Sequence, residues 1–469
     1  MKRVKTDFFI ENLQITDAGS EGMAVGKHEN MVVFVPYAVV GDIVNVQVIK
    51  KKKSYAEAKI TQLVQPSPDR VKPICSHFGV CGGCKWQHFE YSKQLIYKQK
   101  QVFDNFSRLG KFEFPELSPV LPSESIFYYR NKLEYSFSDR RWLSNEEMID
   151  FQNGNLDARG LGYHIPGRFD KILDISECYL QAHPSNAIRL EIKKFAIEKN
   201  FTFWNAHAQE GDLRNIIIRS NQNGDFLVII VLFHEHELYR ELLEHIALKF
   251  PEIKSLYYII NPKANDSVAD LTPHLFKGNP VLTETMEDLT FEIGPLSFYQ
   301  TNAAQAYKLY LTAREFAHIQ PEDVVYDLYT GAGTIANFVA RQAKKVVGIE
   351  YVEDAVKDAR KNSVLNGITN TVFFAGDMAH ILTPDFVAEN GKPSVIITDP
   401  PRAGMHPKVV AQILEIKPDK IVYVSCNPAT QARDIDLMKL VYEVVKIQPV
   451  DMFPHTQHIE NVVLLELKS

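Results

Sequence analysis

Two stretches near the C-terminal end restrict the fold more than anything else in the chain. Ser394-Val395-Ile396-Ile397-Thr398 runs into Asp399-Pro400-Pro401-Arg402, and Lys420-Ile421-Val422-Tyr423-Val424 runs into Ser425-Cys426-Asn427-Pro428. A short, unbroken apolar and β-branched run is the pattern of a strand buried on both faces. Such strands form a parallel sheet, and consecutive ones deliver their loops to one edge, where ligands bind. A carboxylate and a thiol are therefore expected side by side on that edge, an arrangement suited to covalent chemistry on a bound base.

The rest of the C-terminal part agrees with a doubly wound sheet. From about residue 291 the chain alternates strand and helix: Val324 to Leu328, Ile335 to Gln342, Lys345 to Ile349, Glu353 to Leu365, Val372 to Phe374, then the two runs above. Glu443 to Val450 and Val462 to Leu467 close it as an antiparallel pair. Strands alternating with helices predict a Rossmann-like α/β domain over residues 291–469.

Upstream, the texture changes twice. Residues 1–66 interleave short β-rich runs (Phe8 to Leu13, Met31 to Val35, Ile43 to Ile49) with glycine turns, which predicts a small OB-like barrel ending at Pro66-Ser67-Pro68. Lys50 to Lys53 is expected in a protruding loop of that barrel, where it could meet phosphate. Residues 67–290 are mixed and read as a central α+β domain. In it, a helix from Tyr91 to Leu109 stops at Gly110 and is expected to pack on the C-terminal domain. Tyr128 to Phe137 alternates as a strand, with Arg130 and Lys132 together on one face. Ile216 to Arg219 and Phe226 to Phe233 flank Asn221-Gln222-Asn223-Gly224 as a hairpin.

Composition narrows the setting. The longest apolar stretch, Phe226 to Phe233, is far too short to span a bilayer, and no apolar segment follows Met1-Lys2-Arg3 as a secretory signal would. A cytoplasmic, membrane-free protein is expected, in which five cysteines serve metal binding or catalysis rather than disulfides. The net charge of −6 is divided: residues 1–141 carry +6 and the remainder −12. That asymmetry suits a polyanion-binding N-terminal part joined to an acidic catalytic part.

Asp327-Leu328-Tyr329-Thr330-Gly331-Ala332-Gly333-Thr334 follows the first strand and opens a helix. Gly331 and Gly333 allow close backbone approach to a ligand; Glu350, ending the second strand, can accept ribose hydroxyls, and Asp377, ending the third, can meet the adenine edge. The acidic surroundings resemble those of S-adenosylmethionine-dependent methyltransferases, whose sulfonium cofactor is cationic, more than those of dinucleotide dehydrogenases.

Taken in order, Ser297-Phe298-Tyr299-Gln300-Thr301-Asn302, Asp327 to Thr334, Asp399-Pro400-Pro401-Arg402, Ser425-Cys426-Asn427-Pro428 and His458-Ile459-Glu460-Asn461 resemble the motifs of RNA uracil-5-methyltransferases, and the likeness covers essentially the whole chain. The resemblance implies a TRAM domain at the N-terminus and an iron–sulfur domain in the middle, as in the 23S rRNA branch of that family. It implies Cys426 as nucleophile, Asp399 orienting the base, and Glu460 as proton acceptor. Gln300, Tyr329, Gly331, Gly333, Glu350, Asp377 and Asp399 are implied around S-adenosylmethionine. One departure stands out: the family often has Cys-Gly-x-Gly-Asn where this chain has Thr330-Gly331-Ala332-Gly333-Thr334, which puts a direct cofactor contact by Thr334 in doubt. His455 and His458 are read as structural.

The remaining cysteines are Cys75, Cys81, Cys84 and distant Cys178. Four thiolates suit a 4Fe–4S cluster or a tetrahedral zinc; the spacing resembles the cluster pattern of the rRNA enzymes and favours the cluster. The expected partner is RNA, 23S rRNA ahead of transfer RNA, bound by a monomer. Two other readings remain: an amino-methyltransferase, disfavoured because Arg402 fills the place that class gives to an aromatic residue, and a non-catalytic iron–sulfur RNA-binding protein.

Overall fold

Alternating burial closes the N-terminal segment on itself. The computed structural model describes residues 8–468 apart from residue 236. In it β1 (Phe9–Ala18), β2 (Ala24–His28), β3 (Met31–Val35), β4 (Ile43–Lys51) and β5 (Tyr55–Gln65) form a closed barrel in the order β1-β2-β3-β5-β4. Every second residue of β4, Val44, Val46 and Val48, points into its core with Ala56 and Ala58 of β5. The lysine run is only partly a loop. Lys50 and Lys51 still belong to β4, where Lys50 pairs with Glu57 across the ladder and Lys51 stands 4.7 Å over the Phe8 ring. An acid on the neighbouring strand and an aromatic ring let the ladder run through the positive charge.

The central part is built on one mixed sheet. α1 (Tyr91–Asn105), which runs on through a π-turn to Gly110, is followed by β6 (Lys132–Ser138), α2 (Asn145–Gln152), β7 (Gly160–His164), β8 (Ile172–Asp174), α3 (Ser185–Glu198), β9 (Leu213–Ser220), β10 (Phe226–Leu232), α4 (Tyr239–Lys249), β11 (Ile253–Ile260) and β12 (His274–Gly278). The strand order is β12-β11-β10-β9-β6-β7-β8, so the wholly apolar β10 and its neighbour β9 lie near the middle, β10 buried throughout and β9 as far as Arg219. The strand expected from Tyr128 starts at Lys132 instead. Tyr128 adopts a left-handed φ of 56°, and the backbone of Tyr128 and Arg130 bonds to the carbonyls of Tyr179 and Leu180. From Leu133 onward the expected alternation holds, with Leu133, Tyr135 and Phe137 facing the core.

A hairpin, β13 (Leu282–Met286) with β14 (Leu289–Ile293), leads to α5 (Ala303–Ala317) and the last sheet. Its elements are β15 (Val324–Leu328), α6 (Thr334–Ala340), β16 (Lys345–Glu350), α7 (Glu353–Leu365), β17 (Thr371–Ala375), α8 (Met378–Ile381), α9 (Pro384–Asn390), β18 (Val395–Thr398), α10 (Pro407–Ile416), β19 (Lys420–Ser425), α11 (Pro428–Met438), β20 (Tyr442–Val450) and β21 (Glu460–Leu467). The order is β17-β16-β15-β18-β19-β21-β20, parallel through β19, with β21 inserted antiparallel between β19 and β20. Helices α5, α6 and α7 cover one face; α10, α11 and, through Val102 and Phe106, α1 cover the other. Among the described residues no helix is long and apolar enough to cross a membrane.

The segment between β20 and β21 is held from several sides. Lys98 of α1 and Asp451 form a fully buried ion pair of 2.6 Å, and Tyr91 Oη donates to the other Asp451 oxygen at 2.8 Å. Burial nonetheless draws the Lys98 ammonium below its usual range, with Asp451 opposing. The His455 carbonyl accepts from the backbone N–H groups of Lys85 and Trp86, directly after Cys84 in the chain. Leaving either charge alone in this interior is costly. Asp451→Asn should lower stability by about 3–5 kcal/mol in urea unfolding. The double change Lys98→Met with Asp451→Leu should recover most of that loss.

Candidate active site

The C-terminal edge of the last sheet brings the expected reacting groups together. Asp399 follows β18, Cys426 follows β19, and Glu460 begins β21, the strand paired with β19 (Ser425 opposite Asn461). The two loops are tied together by α11. Asn427 caps α11 by accepting from Ala429 N–H at 3.1 Å and donates through Nδ2 to the Arg402 carbonyl at 3.0 Å. Buried Asp434 accepts from Tyr423 Oη (2.7 Å) and from Met405 N–H (2.8 Å), so one carboxylate joins β19 to the loop after Asp399. Asn427 and Pro428 thus have a local reason: cap and first helical residue.

These groups feel one another. Burial first, then the negative charges of Glu460 and Asp399, push the Cys426 thiol up to about 11, while Arg402 opposes them. Burial holds Asp399 up to about 7. Glu460, nearly inaccessible, lies well above the ordinary carboxylate range through burial and the charge of Asp399, again opposed by Arg402. At pH 7 a thiol titrating near 11 is ionised to about one part in ten thousand, a deficit of about 5 kcal/mol that a bound cation or proton acceptor must offset. Arg402, quoted as part of a motif and given no role from sequence, is the cation that moderates the shifts of Cys426 and Glu460.

The neighbouring edge carries the residues expected around the cofactor. The turn after β15 is anchored by Tyr329 and Thr330 N–H groups bonding the Ile349 carbonyl. Tyr329 (φ 64°), Gly331 (φ 55°) and Gly333 (φ 76°) are left-handed. A Cβ at Gly331 would meet nothing within 4 Å, whereas one at Gly333 would lie 2.8 Å from Ala359 Cβ, so the first glycine serves the open side and the second serves packing. Glu350 receives Gly331 N–H at 3.1 Å on one oxygen and Val352 N–H at 3.0 Å on the other, with lone pairs left for a ligand. Asp377 is exposed, but one of its oxygens caps α8 through Ala379 N–H at 2.9 Å. Thr334 is buried as the first residue of α6. Asp327 is fully buried, receives Thr330 Oγ1 and Ala336 N–H on one oxygen, and is pushed up to about 7 by burial and by Asp399 and Glu350.

Gln300 stands between this edge and the central part: Asn131 Nδ2 donates to its carbonyl at 3.0 Å, and its side chain acts on Tyr310, opposing the rise of that phenol. Tyr310, on α5, is buried and driven far above the usual phenol range by burial and the charge of Asp399. No sequence motif marks Tyr310 or Asp434; both are helical residues whose roles depend on what folds against them. His455 stacks on Phe127 at 4.5 Å and its backbone N–H bonds Gln94, a structural position.

Cys75, Cys81, Cys84 and Cys178 come together elsewhere, lining a cavity of about 140 Å³ with Tyr163 and Arg130. Burial first, then repulsion from Cys178, raises Cys81 to about 11 and Cys84 to about 12. The donor set fits a group that thiolates neutralise. Among the described residues, however, no three His, Cys, Asp or Glu side chains converge on a single metal ion.

Comparison with known proteins agrees with this geometry. A family described as tRNA (uracil-5-)-methyltransferase matches residues 281–468, and the TRAM domain matches residues 10–61. An uncharacterized RNA methyltransferase of Bacteroides thetaiotaomicron is 54% identical over 96% of this chain and 100% of its own length. One from Porphyromonas gingivalis is 52% identical over 97% of this chain and 99% of its own. The crystal structure of Pyrococcus abyssi tRNA (uracil-54, C5)-methyltransferase in complex with S-adenosyl-L-homocysteine superposes with a TM-score of 0.75 at 28% identity, over 97% of this chain and 100% of that one.

The electrostatics can be read directly from thiol alkylation, followed at the Cys426 peptide by mass spectrometry. The rate should climb with pH toward about 11. Asp399→Asn removes a negative charge and should make the thiol react faster at pH 8; Arg402→Ala removes the opposing positive charge and should slow it.

Proposed function

The chain belongs to the RNA methyltransferase family that joins a TRAM domain to a tRNA (uracil-5-)-methyltransferase domain, and on that premise we propose that it methylates C5 of one uridine of 23S rRNA through a transient cysteine adduct. It is an S-adenosylmethionine-dependent RNA methyltransferase. The observation that carries the finer reading is the mutual electrostatic influence of Cys426, Asp399, Glu460 and Arg402 along one sheet edge, beside the glycine turn.

C5 of uracil is a poor nucleophile until C6 carries a substituent. In the proposed course Cys426 Sγ bonds to C6 as its proton passes to Asp399, and the displaced π electrons give an enolate across C5, C4 and O4. S-adenosylmethionine, held by Gln300, Tyr329, Gly331, Gly333, Glu350 and Asp377, supplies the methyl group that C5 takes up. Glu460 then removes the C5 proton, the C5–C6 double bond re-forms, the S–C6 bond breaks, and the thiolate recovers its proton. Asp399 and Glu460 are suited to exchange protons because burial holds them near or above neutrality. The cationic cofactor would offset the thiol's reluctance to ionise and suits the five acids along this edge, Asp327, Glu350, Asp377, Asp399 and Glu460.

Cys75, Cys81, Cys84 and Cys178 would hold a 4Fe–4S cluster rather than zinc. The spacing of Cys75, Cys81 and Cys84, joined by distant Cys178, supports that choice. The cluster would act as a cross-link; no step above consumes electrons. The four-cysteine set favours ribosomal RNA, whereas the Pyrococcus abyssi enzyme, named for uracil-54 of tRNA, supports transfer RNA as the second reading. A cytoplasmic monomer acting on RNA fits both.

Cys426→Ala should lower methyl transfer more than about ten-thousandfold and abolish covalent capture of 5-fluorouracil RNA in denaturing gels; a residual adduct would end the cysteine assignment. Glu460→Gln should keep the adduct and accumulate it. Mapping 5-methyluridine in rRNA and tRNA from cells with and without the protein decides between substrates. Anaerobically purified protein should be brown with about four irons per chain, and Cys84→Ser should lose them.

A further inference from the structure

A second cleft, of about 800 Å³, opens between the β9–β10 turn, the β13–β14 hairpin and the first turn of α5. Glu284 lines it, on the buried face of β13 with Leu282 and Met286, and only 2% of it is exposed. One of its oxygens accepts a long 3.4 Å bond from Gln222 N–H; the other has no hydrogen-bond partner. An acid left half-satisfied in an interior is costly unless something else completes it.

Anchoring the β9–β10 turn does not account for Glu284. That turn is already fastened to β13 by Asn221 Nδ2 bonding the Thr283 carbonyl at 3.0 Å and by Gln222 Nε2 reaching the Thr285 carbonyl. The cleft also carries the parts that RNA needs. Tyr128 offers a ring 42% exposed, and Lys308 brings a cation paired at 2.8 Å with Glu124, which is itself largely exposed. The cleft is close to the catalytic edge: the Tyr299 hydroxyl feels the charge of Glu284, and Tyr310 senses both Tyr299 and Asp399.

We propose that this cleft receives a nucleotide of the substrate RNA other than the one methylated, with Glu284 accepting a hydrogen bond from an exocyclic amino group of its base. Cytosine, adenine and guanine carry such a group; uracil presents a carbonyl to the same place, and two acceptors repel. Tyr128 serves as a stacking surface and Lys308 contacts the phosphate. The cleft thereby admits an amino-bearing base near the target while excluding uracil. The inference rests on the chain acting on RNA and is independent of the cysteine chemistry.

Equilibrium binding of short single-stranded oligocytidine interrupted by one central uridine, against oligouridine of equal length, tests it, since both offer the base to be methylated and their other bases differ chiefly in an amino group against a carbonyl. At pH 8.5, where the Glu284 carboxyl, pushed up to about 7 by burial, is ionised and only accepts, the protein should bind oligocytidine about tenfold more tightly. Glu284→Gln, whose amide both donates and accepts, should bring the two within about twofold. Equal affinities in the unaltered protein, or a preference that survives Glu284→Gln, overturn the proposal. Should that variant fail to fold, Tyr128→Ala and Lys308→Ala decide: each should weaken oligocytidine binding at least about threefold, and no change in either overturns it. Methyl transfer to RNA from cells lacking the protein is scored separately. Its absence with the base preference intact refutes uracil methylation and leaves the cleft standing.

Discussion

The buried pair of Lys98 and Asp451 is the contact through which the parts of this molecule become one machine. It lies 353 residues apart in the chain and fixes the strap that delivers Glu460 to the catalytic edge. On one side of the strap stand α1 and, through the His455 carbonyl, the backbone next to Cys84. On another stand Tyr129, bonding the Pro454 carbonyl, and Asn302, bonding that of Met452. A hydrophobic contact of the same size would hold the strap with less direction. A charge pair with its remaining lone pairs filled by Tyr91 and by Phe453 N–H holds it in one register. The distance between thiol and base is therefore set by groups that touch neither.

The second governing feature is an excess of acid. Asp327, Asp399 and Glu460 are each pushed toward or beyond neutrality, chiefly by burial. Folding alone gains nothing from such an arrangement; it becomes favourable when a positive sulfonium arrives. The raised thiol and raised carboxyls are thus one phenomenon seen at four atoms. It explains why a guanidinium, Arg402, is stationed at the mouth, and why it moderates rather than neutralises.

What the sequence disclosed and what it hid follow from distance along the chain. Asp399 and Cys426 were legible because a strand's apolar run and the loop that ends it are contiguous, and parallel neighbours share an edge. The turn from Asp327 to Thr334 was legible for the same reason. The strand start at Lys132 was not, because the left-handed Tyr128 is stabilised by carbonyls from residues 179 and 180. Nor was the split of the lysine run between β4 and its turn, which depends on Glu57 across the ladder. Asp434, Tyr310 and Glu284 sit in ordinary helical or strand patterns and become unusual only through what folds against them. The central sheet was read only as mixed α+β, since its order, with β6 between β9 and β7, is set by long-range pairing.

The insertion of β21 between β19 and β20 carries a further meaning. Until residues 460–467 are in hand, β19 presents a bare row of amide and carbonyl groups and β20 lacks its ladder partner, keeping the bonds that Ser118 and Leu121 donate to its carbonyls. The ribosome releases that strand after nearly every other element, so a half-made chain lacks Glu460 and exposes a sticky border at the same moment. Premature termination anywhere past β20 would therefore leave a product unable to modify RNA and prone to clump. Quality control by the cell could recognise both faults from a single missing strand.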